Sequence, residues 1–368
     1  MQLVKTHRDT LLRPLQIVSG IVERRHTLPI LANILIRKDG EKVSFLSTDI
    51  EVQITTHAEI GSGGEVTATT VAARKLLDIL RALPDDNDVT LKLDNKKMTV
   101  QSGKSRFSLQ TLAAEEFPTV AQAEHFNASV SLPQKALRHL FNMVHFSMAQ
   151  QDIRYYLNGL LLVVDGKNVI AVATDGHRLA YAQVEVEQEF ARQEVIIPRK
   201  TILELQRLLE DKDEPVQLDI ANNQVKLTFA DIELISKLVE GKFPDFNRVI
   251  PKGYKNNFTL SREKLLRSLQ RVAIMTSDKF KGVRCVIEPG LMRILSTNAD
   301  QEEAVEEIEI DYGGDSVDIG FNVTYLLDVL NNLKVDQINV ALGDSNSSAL
   351  LTIPDNGDFK YVVMPMRI

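Results

Sequence analysis

The sequence predicts an α+β fold present three times in tandem, each copy carrying two helices packed on antiparallel sheet. Three markers recur in the same order at intervals of about 125 residues, longer than solenoid repeats and close to the size of a self-sufficient domain. The first is a helix pattern, TLLRPLQ from Thr10, KALRHLF from Lys135 and KLLRSLQ from Lys264. The second is a strand end, Leu46-Ser47-Thr48-Asp49, Val172-Ala173-Thr174-Asp175 and Leu295-Ser296-Thr297-Asn298. The third is another helix, VAARKLLDILRAL from Val71, IPRKTILELQRLL from Ile197 and FNVTYLLDVLNNL from Phe321, with Asp78, Glu204 and Asp328 in equivalent places. The expected domains are residues 1–126, 127–252 and 253–368.

Within the first repeat, Leu11, Leu12, Leu15 and Val18 follow the 3.6-residue period of a helix. Pro14 removes one helical hydrogen bond and crowds the preceding turn at a cost of ~3 kcal/mol, so a kink or irregular turn is expected there. Alternating runs, ILANILIRK and KVSFLSTDIEVQITTHAEI, read as strands. After the Gly61-Ser62-Gly63-Gly64 turn come a strand, a helix near 73–83 ended by Pro84, and two more strands to about residue 112. Six helices follow for the chain, laid on one face of mostly antiparallel sheet.

Composition bounds the setting. Of 368 residues 44% are hydrophobic and 25% charged, ordinary values for a soluble globular protein. One cysteine, Cys285, excludes an internal disulfide framework and fits a reducing compartment. The N-terminal MQLVKTHRDT has no apolar signal segment, and no run approaches the ~18 apolar residues of a membrane span. A cytoplasmic location is expected, with no membrane partner.

Charge is unevenly placed. The chain carries a net −7, yet its helical stretches are basic, with Arg8, Arg13, Arg74, Lys75, Arg81, Lys135, Arg138, Arg199, Lys200, Arg207, Arg262, Lys264, Arg267 and Arg271 against few acids. Solvated amphipathic faces explain one such helix; repetition points to a polyanion, nucleic acid, held by shape and enclosure rather than by loose phosphate contacts. The ends of the chain are charged oppositely. Lys96, Lys97, Lys104 and Arg106 precede the next acid, Glu115, whereas no base lies between Arg293 and Lys334, a stretch holding Asp300, Glu302, Glu303, Glu306, Glu307, Glu309 and Asp311. Both stretches read as exposed sheet edges. They suit either charge-guarded edges or chains joining head to tail, a contact that closes into a ring when the rotation permits.

Catalytic machinery is scarce. Gly103-Lys104-Ser105 mimics the end of a phosphate-binding loop, but Met98 stands where its leading glycine belongs. The histidines have no metal spacing: His139 and His145 share a helical face poorly. Thr174-Asp175-Gly176-His177-Arg178 could offer an Asp–His base pair of groups. Its counterparts, Thr48-Asp49-Ile50-Glu51 and Thr297-Asn298-Ala299-Asp300, favour a turn in which Asp bonds its own backbone. No catalytic residue, cofactor or metal is expected, and Cys285 reads as a small buried apolar residue.

Several blocks then carry a resemblance: HTLPILANILI (His26 to Ile36), SRFSLQTL (Ser105 to Leu112), FSMAQQDIRYYLNG (Phe146 to Gly159), ATDGHRLA (Ala173 to Ala180), SKLVEGKFPDFNRVIP (Ser236 to Pro251), GFNVTYLLDVL (Gly320 to Leu330) and YVVMPMRI (Tyr361 to Ile368). Over its full length the chain resembles the bacterial sliding clamps, beta subunits of DNA polymerase III, of proteobacterial type. The resemblance implies the DNA clamp fold, a ring-forming head-to-tail homodimer around double-stranded DNA, and a processivity factor rather than an enzyme, acting in DNA replication at the nucleoid. Implied partners are the DNA polymerase III alpha subunit, an ATP-driven clamp loader complex, and other polymerases and repair proteins bearing clamp-binding peptides.

The resemblance also implies sites. DNA contact is expected at Arg24, Arg25, Gln151, Tyr155, Tyr156, Arg199 and Lys200. The dimer contact is expected to place Lys75, Lys104, Arg106, Phe107 and Leu109 against Ile274, Met275, Glu302, Glu303 and Glu306. A partner-peptide groove is expected from Arg154, Tyr156, Leu157, Thr174, Gly176, His177, Arg178, Leu179, Pro244, Val249, Asn322, Tyr325, Ser348, Val362, Met364, Pro365, Met366 and Arg367. Methionines there are adaptable contacts for varied peptides, and Pro365 loosens the terminal strand because it cannot donate to a ladder. Two other readings are a peptide-binding adaptor that never encircles DNA and a hydrolase built on Asp175 and His177.

Overall fold

The computed structural model describes residues 1–23 and 28–368. Its first repeat runs β1 (Gln2–His7), α1 (Arg8–Val18), β2 (Asn33–Asp39), β3 (Lys42–Thr48), β4 (Val52–Glu59), β5 (Thr67–Ala72), α2 (Ala73–Ala82), β6 (Asp88–Asp94), β7 (Lys97–Ser102) and β8 (Ser105–Leu112). The second runs β9 (Ala128–Pro133), α3 (Gln134–Val144), a long hairpin of β10 (Gly159–Thr174) and β11 (Arg178–Pro198), α4 (Arg199–Leu208), β12 (Pro215–Ile220), β13 (Gln224–Phe229) and β14 (Ile232–Lys237). A four-residue α5 (Phe246–Val249) precedes the third. That repeat runs β15 (Asn256–Ser261), α6 (Arg262–Val272), β16 (Gly282–Glu288), β17 (Leu291–Thr297), β18 (Glu303–Glu309), β19 (Val317–Asn322), α7 (Val323–Asn332), β20 (Gln337–Leu342), β21 (Ala349–Ile353) and β22 (Asn356–Val363).

Each repeat has the two long helices expected. On α2 the buried residues Ala73, Leu76, Leu77 and Leu80 fall at helical spacing, and on α6 they are Leu265, Leu266, Leu269 and Val272. Burying one such leucine contributes ~1.5–3 kcal/mol, which is what fixes each helix to its sheet. Two local expectations differ from the structure. The helix α1 runs through Pro14 without a break, and Pro14 itself is buried, so its ring contributes packing that offsets the missing bond. After α2 there are three strands, not two, because Asn95 adopts a left-handed φ of 51° and turns one alternating run into the β6–β7 hairpin.

The chain forms two compact units, residues 1–135 with 207–238, and residues 136–206 with 239–368. Strand pairing across repeats is the cause. In the first unit β14 of the second repeat pairs antiparallel with β4 of the first, Ile232 opposite Thr56 and Ser236 opposite Val52, making one twelve-stranded sheet. In the second unit β11 pairs with β22 of the third repeat, Arg178 opposite Val363 and Ala182 opposite Phe359. That pairing builds a six-stranded sheet beside a four-stranded one ordered β18-β17-β16-β19.

Many of the helical arginines are committed inside the chain. Arg74 donates to the Val22 carbonyl, Arg207 to the carbonyls of Gln16 and Ile17, and Arg262 to those of Leu330 and Val335. Arg13 makes a two-pronged ion pair with Asp231, and Lys135 pairs with Asp213. The basic character of the helices is therefore partly structural: these side chains satisfy carbonyls at or just beyond helix ends, or pair with carboxylates within the chain.

Cys285, on β16, is 1% exposed, and burial pushes its thiol up to about 12. Since the thiolate is the nucleophile, alkylation by iodoacetamide near neutral pH is expected to be limited by unfolding. Labelling of native protein at the rate of a free thiol would contradict this burial.

Candidate functional site

The Thr-Asp markers of the first two repeats form the same turn, and the third forms one a residue longer. Thr48 donates from its hydroxyl to the Val52 carbonyl at 2.8 Å while Asp49 accepts from the Glu51 and Val52 amides. Thr174 likewise donates to the Arg178 carbonyl at 2.6 Å, and Asp175 accepts from the His177 and Arg178 amides at 2.9 and 3.1 Å. Asn298 accepts from the Asp300 and Glu302 amides. Asp175 is thus occupied by its own turn, and its second oxygen takes Arg178 Nε at 3.2 Å; His177 instead stacks on Tyr325 with ring centroids 6.3 Å apart. No Asp–His base pair is assembled.

The second of these turns forms one wall of an apolar cavity of about 110 Å³. It is lined by Arg154, Tyr156, Leu157, Thr174, Gly176, His177, Arg178, Leu179, Pro244, Val249, Val362 and Met364, so twelve of the residues expected in the partner groove come together. Its floor is a buried cluster in which Leu179 and Val362 join Leu161, Val172, Phe243, Phe246 and Ile250, with Tyr156 and Val249 packed against it. Gly176 has a left-handed φ of 89°, and a Cβ there would come within 3.0 Å of the Arg154 guanidinium; both the turn and the close approach require glycine.

Arg154 is held at the rim by Asp152, through Nε and NH2 at 3.0 and 2.9 Å, and the same hydrogen bonds hold the Asp152 carboxyl down at about 2. Deeper in, Arg178 reaches Asp328 at 2.5 Å and lies 4.5 Å over the Tyr325 ring, a desolvated cation–π contact. Tyr361 donates its hydroxyl to the Tyr325 carbonyl, and burial raises its phenol well above the usual range. These groups give the cavity an apolar floor with fixed polar edges, a combination suited to holding a short apolar segment in one orientation.

Six groove residues expected from the resemblance lie outside this lining. Tyr325 backs it through Arg178 and His177. Asn322 caps α7, accepting from the Thr324 amide, and the Ser348 carbonyl accepts from Tyr254. Strand β22 ends at Val363, as Pro365 led one to expect. Beyond it the Met366 amide donates to the Gly320 carbonyl, and Pro365 and Arg367 flank that residue. Asp152 was not anticipated; its only sequence signal is its place two residues before Arg154.

A second, polar cavity of about 690 Å³ shares His177 and Arg178 with the first and is lined also by His145, Gln151, Asp152, Arg199 and Asp328. It brings Gln151 and Arg199 together among the expected DNA contacts. Burial and the neighbouring Arg178 both lower the Arg199 guanidinium. Tyr155 is exposed and meets Tyr156 edge to face at 5.9 Å. Lys200 lies on α4 beside Arg199, and Arg24 and Arg25 lie outside the described residues.

The two oppositely charged stretches are sheet edges. Strand β8 pairs with β7 on one side, but on the other meets β5 only at Thr111 and Leu112, leaving Ser105 to Gln110 open there. Lys104, Arg106 and Phe107 are exposed on it, Leu109 is half-buried, and Lys75 is exposed on α2. Strand β18 pairs with β17 alone. It carries Glu303, with Glu302 just before it, an exposed Val305, and the nearby Ile274, 74% exposed, and half-buried Met275. Glu306 differs from its neighbours: Arg271 grips its carboxylate at 2.6 and 2.7 Å and Ser268 adds a third bond.

Comparison with known proteins gives these features a context. Residues 1–121, 131–245 and 247–367 match, in turn, the N-terminal, central and C-terminal domains of the DNA polymerase III beta subunit. The chain is 46% identical to the beta sliding clamp of Pseudomonas putida and 40% identical to that of Escherichia coli, over 98% of each chain. A solved DNA polymerase sliding clamp from Pseudomonas aeruginosa superposes with a TM-score of 0.96 at 42% identity, covering all of both chains. A Caulobacter crescentus beta sliding clamp superposes with a TM-score of 0.94 at 36% identity, again over both whole chains. With three repeats matched in order along nearly its whole length, the chain belongs to the DNA polymerase III beta subunit family, the bacterial sliding clamps.

Proposed function

We propose that the chain is a sliding clamp and processivity factor: two copies close head to tail into a ring around duplex DNA, held without regard to sequence, and tether the replicative polymerase. The observation that carries this reading is the pairing rule between repeats. Inside the chain, the strand after the Thr-Asp turn of one repeat pairs with the last strand of the next, β4 with β14 and β11 with β22. The same rule leaves β18 of the third repeat and β8 of the first without such a partner among the described residues. These are the acidic and basic edges. A second copy completes both, giving six repeats in a closed cycle.

In this reading Lys75, Lys104, Arg106, Phe107 and Leu109 of one copy meet Ile274, Met275, Glu302, Glu303 and Glu306 of the other. Arg24, Arg25, Gln151, Tyr155, Tyr156, Arg199 and Lys200 contact DNA through short-lived phosphate interactions that permit sliding. The apolar cavity, with Asn322, Tyr325, Ser348 and the residues after Val363, takes the clamp-binding peptides of the DNA polymerase III alpha subunit, the clamp loader complex, and other polymerases and repair proteins. The three functional domains are residues 1–126, 127–252 and 253–368. In this reading the protein works in the cytoplasm at the nucleoid. It catalyses no reaction itself, a reading supported by the engagement of Asp175 with its own turn and with Arg178.

After loading onto nicked circular DNA by a clamp loader with ATP, the protein is expected to stay bound and to leave when one restriction cut linearises the circle. Retention on the linear product would replace the ring by a non-encircling adaptor. Arg106→Glu combined with Phe107→Ala is expected to weaken self-association at least about a hundredfold, by placing like charge against the acidic edge and removing an apolar anchor. A dimer mass unchanged in sedimentation would refute the assigned interface. Deleting Met364 to Ile368 is expected to abolish binding of an alpha-subunit peptide while sparing the dimer, and retained binding would move the site elsewhere.

A further inference from the structure

The C-terminal tail does not trail into solvent after β22. Its Met364 amide donates to the His177 carbonyl at 2.9 Å and its Met366 amide to the Gly320 carbonyl at 2.7 Å, the second contact forming an isolated antiparallel bridge. The first bond fixes Met364 where it walls the apolar cavity. The second rests on a shallow seat built by the absence of side chains. A Cβ on Gly320 would stand 2.4 Å from the Met366 carbonyl oxygen and 2.6 Å from the end of the Ile368 side chain; one on Gly282 would stand 3.3 Å from that same atom.

These glycines share a face of the four-stranded sheet. Gly320 pairs with Arg284 and Gly282 with Asn322 on the adjacent strand, so the two missing side chains lie on a diagonal of one surface. Neither glycine has a left-handed φ, so the backbone does not demand glycine at either place. At Gly320 space for the tail is the physical demand; at Gly282 the Phe280 ring is nearer still, at 3.0 Å, with the tail next. Ile368 remains 60% exposed, so its side chain adds little apolar burial to the two backbone bonds that hold the tail.

The geometry points to Gly320 as a positioning residue for the peptide cavity: it seats the tail so that Met364 stands as the cavity wall, and thereby sets affinity for the peptide without touching it. This rests on the assignment of the cavity as the partner-peptide site. Its chemistry is steric. An alanine methyl at 320 cannot coexist with the Met366 carbonyl at 2.4 Å, so the Met366 bond breaks, the tail lifts from the sheet, and Met364, still bonded to the His177 carbonyl, loses the second tie that limits its motion.

The test uses the full-length dimer and a labelled peptide copying the clamp-binding segment of its polymerase III alpha subunit. Four proteins are compared: the parent, Gly320→Ala, Ile368→Gly, and Gly357→Ala, whose Cβ would meet nothing within 4 Å. Amide hydrogen exchange reads the tail at Met364 and Met366, and anisotropy reads peptide affinity. Gly320→Ala is expected to speed exchange at both amides and to weaken the peptide about tenfold, the scale of losing one apolar contact of methionine size. Ile368→Gly, which leaves the sheet untouched, is expected to act in the same direction more weakly, and Gly357→Ala to match the parent. Faster tail exchange with unchanged affinity, or unchanged exchange in both variants, would overturn the role of Gly320. A parent protein that fails to bind the peptide would instead overturn the cavity assignment, and with it this inference.

Discussion

Antiparallel hydrogen bonding between the strand that follows each Thr-Asp turn and the last strand of the next repeat is the constraint on which the rest of this structure depends. It is met between β4 and β14 and again between β11 and β22, and it sets where the compact units divide the chain. The rule also decides which edges remain. An open strand edge is a liability that proteins guard; here the two open edges differ in charge sign, Lys104 and Arg106 against Glu302, Glu303 and Glu307. Each is therefore a poor partner for itself and a good one for the other.

Within that frame the turn has a second use. By fixing the Asp175 carboxylate on backbone amides and on Arg178, it orients a guanidinium that also reaches Asp328 and covers Tyr325. In the first repeat the same turn carries Ile50 and Glu51 at the places of Gly176 and His177. Repetition supplied the backbone, and the side chains at positions 176, 177 and 178 make the second copy a wall of the apolar cavity. Function here lies in the site rather than in the repeated fold.

The features legible in the sequence are those carried by local periodicity. Triplication, the helix stripes around Leu76 and Leu265, the Asp turns and the two charged edges all follow from short-range pattern. The failures are as instructive. Nothing in the alternation of the run LKLDNKKMTV marks Asn95 as a turn, and α1 tolerates Pro14 because tertiary burial overrides propensity. The destinations of Arg74, Arg207 and Arg262 are backbone carbonyls distant in sequence, invisible to any charge count. The cavity residues come from four segments far apart along the chain, so no spacing could join them. Resemblance to a family, not periodicity, brought them together in advance.

The two pairings inside the chain are crossed by covalent backbone, whereas the pairing proposed between copies is crossed by none. A parted strand pair that is tethered sees its partner at high effective concentration and recloses at once; an untethered pair sees only the free concentration of the protein. The proposed ring therefore has six mechanically similar seams of which two are breakable. With one of those opened, the other can act as a hinge, so the assembly can be sprung open at a single seam and still remain one object.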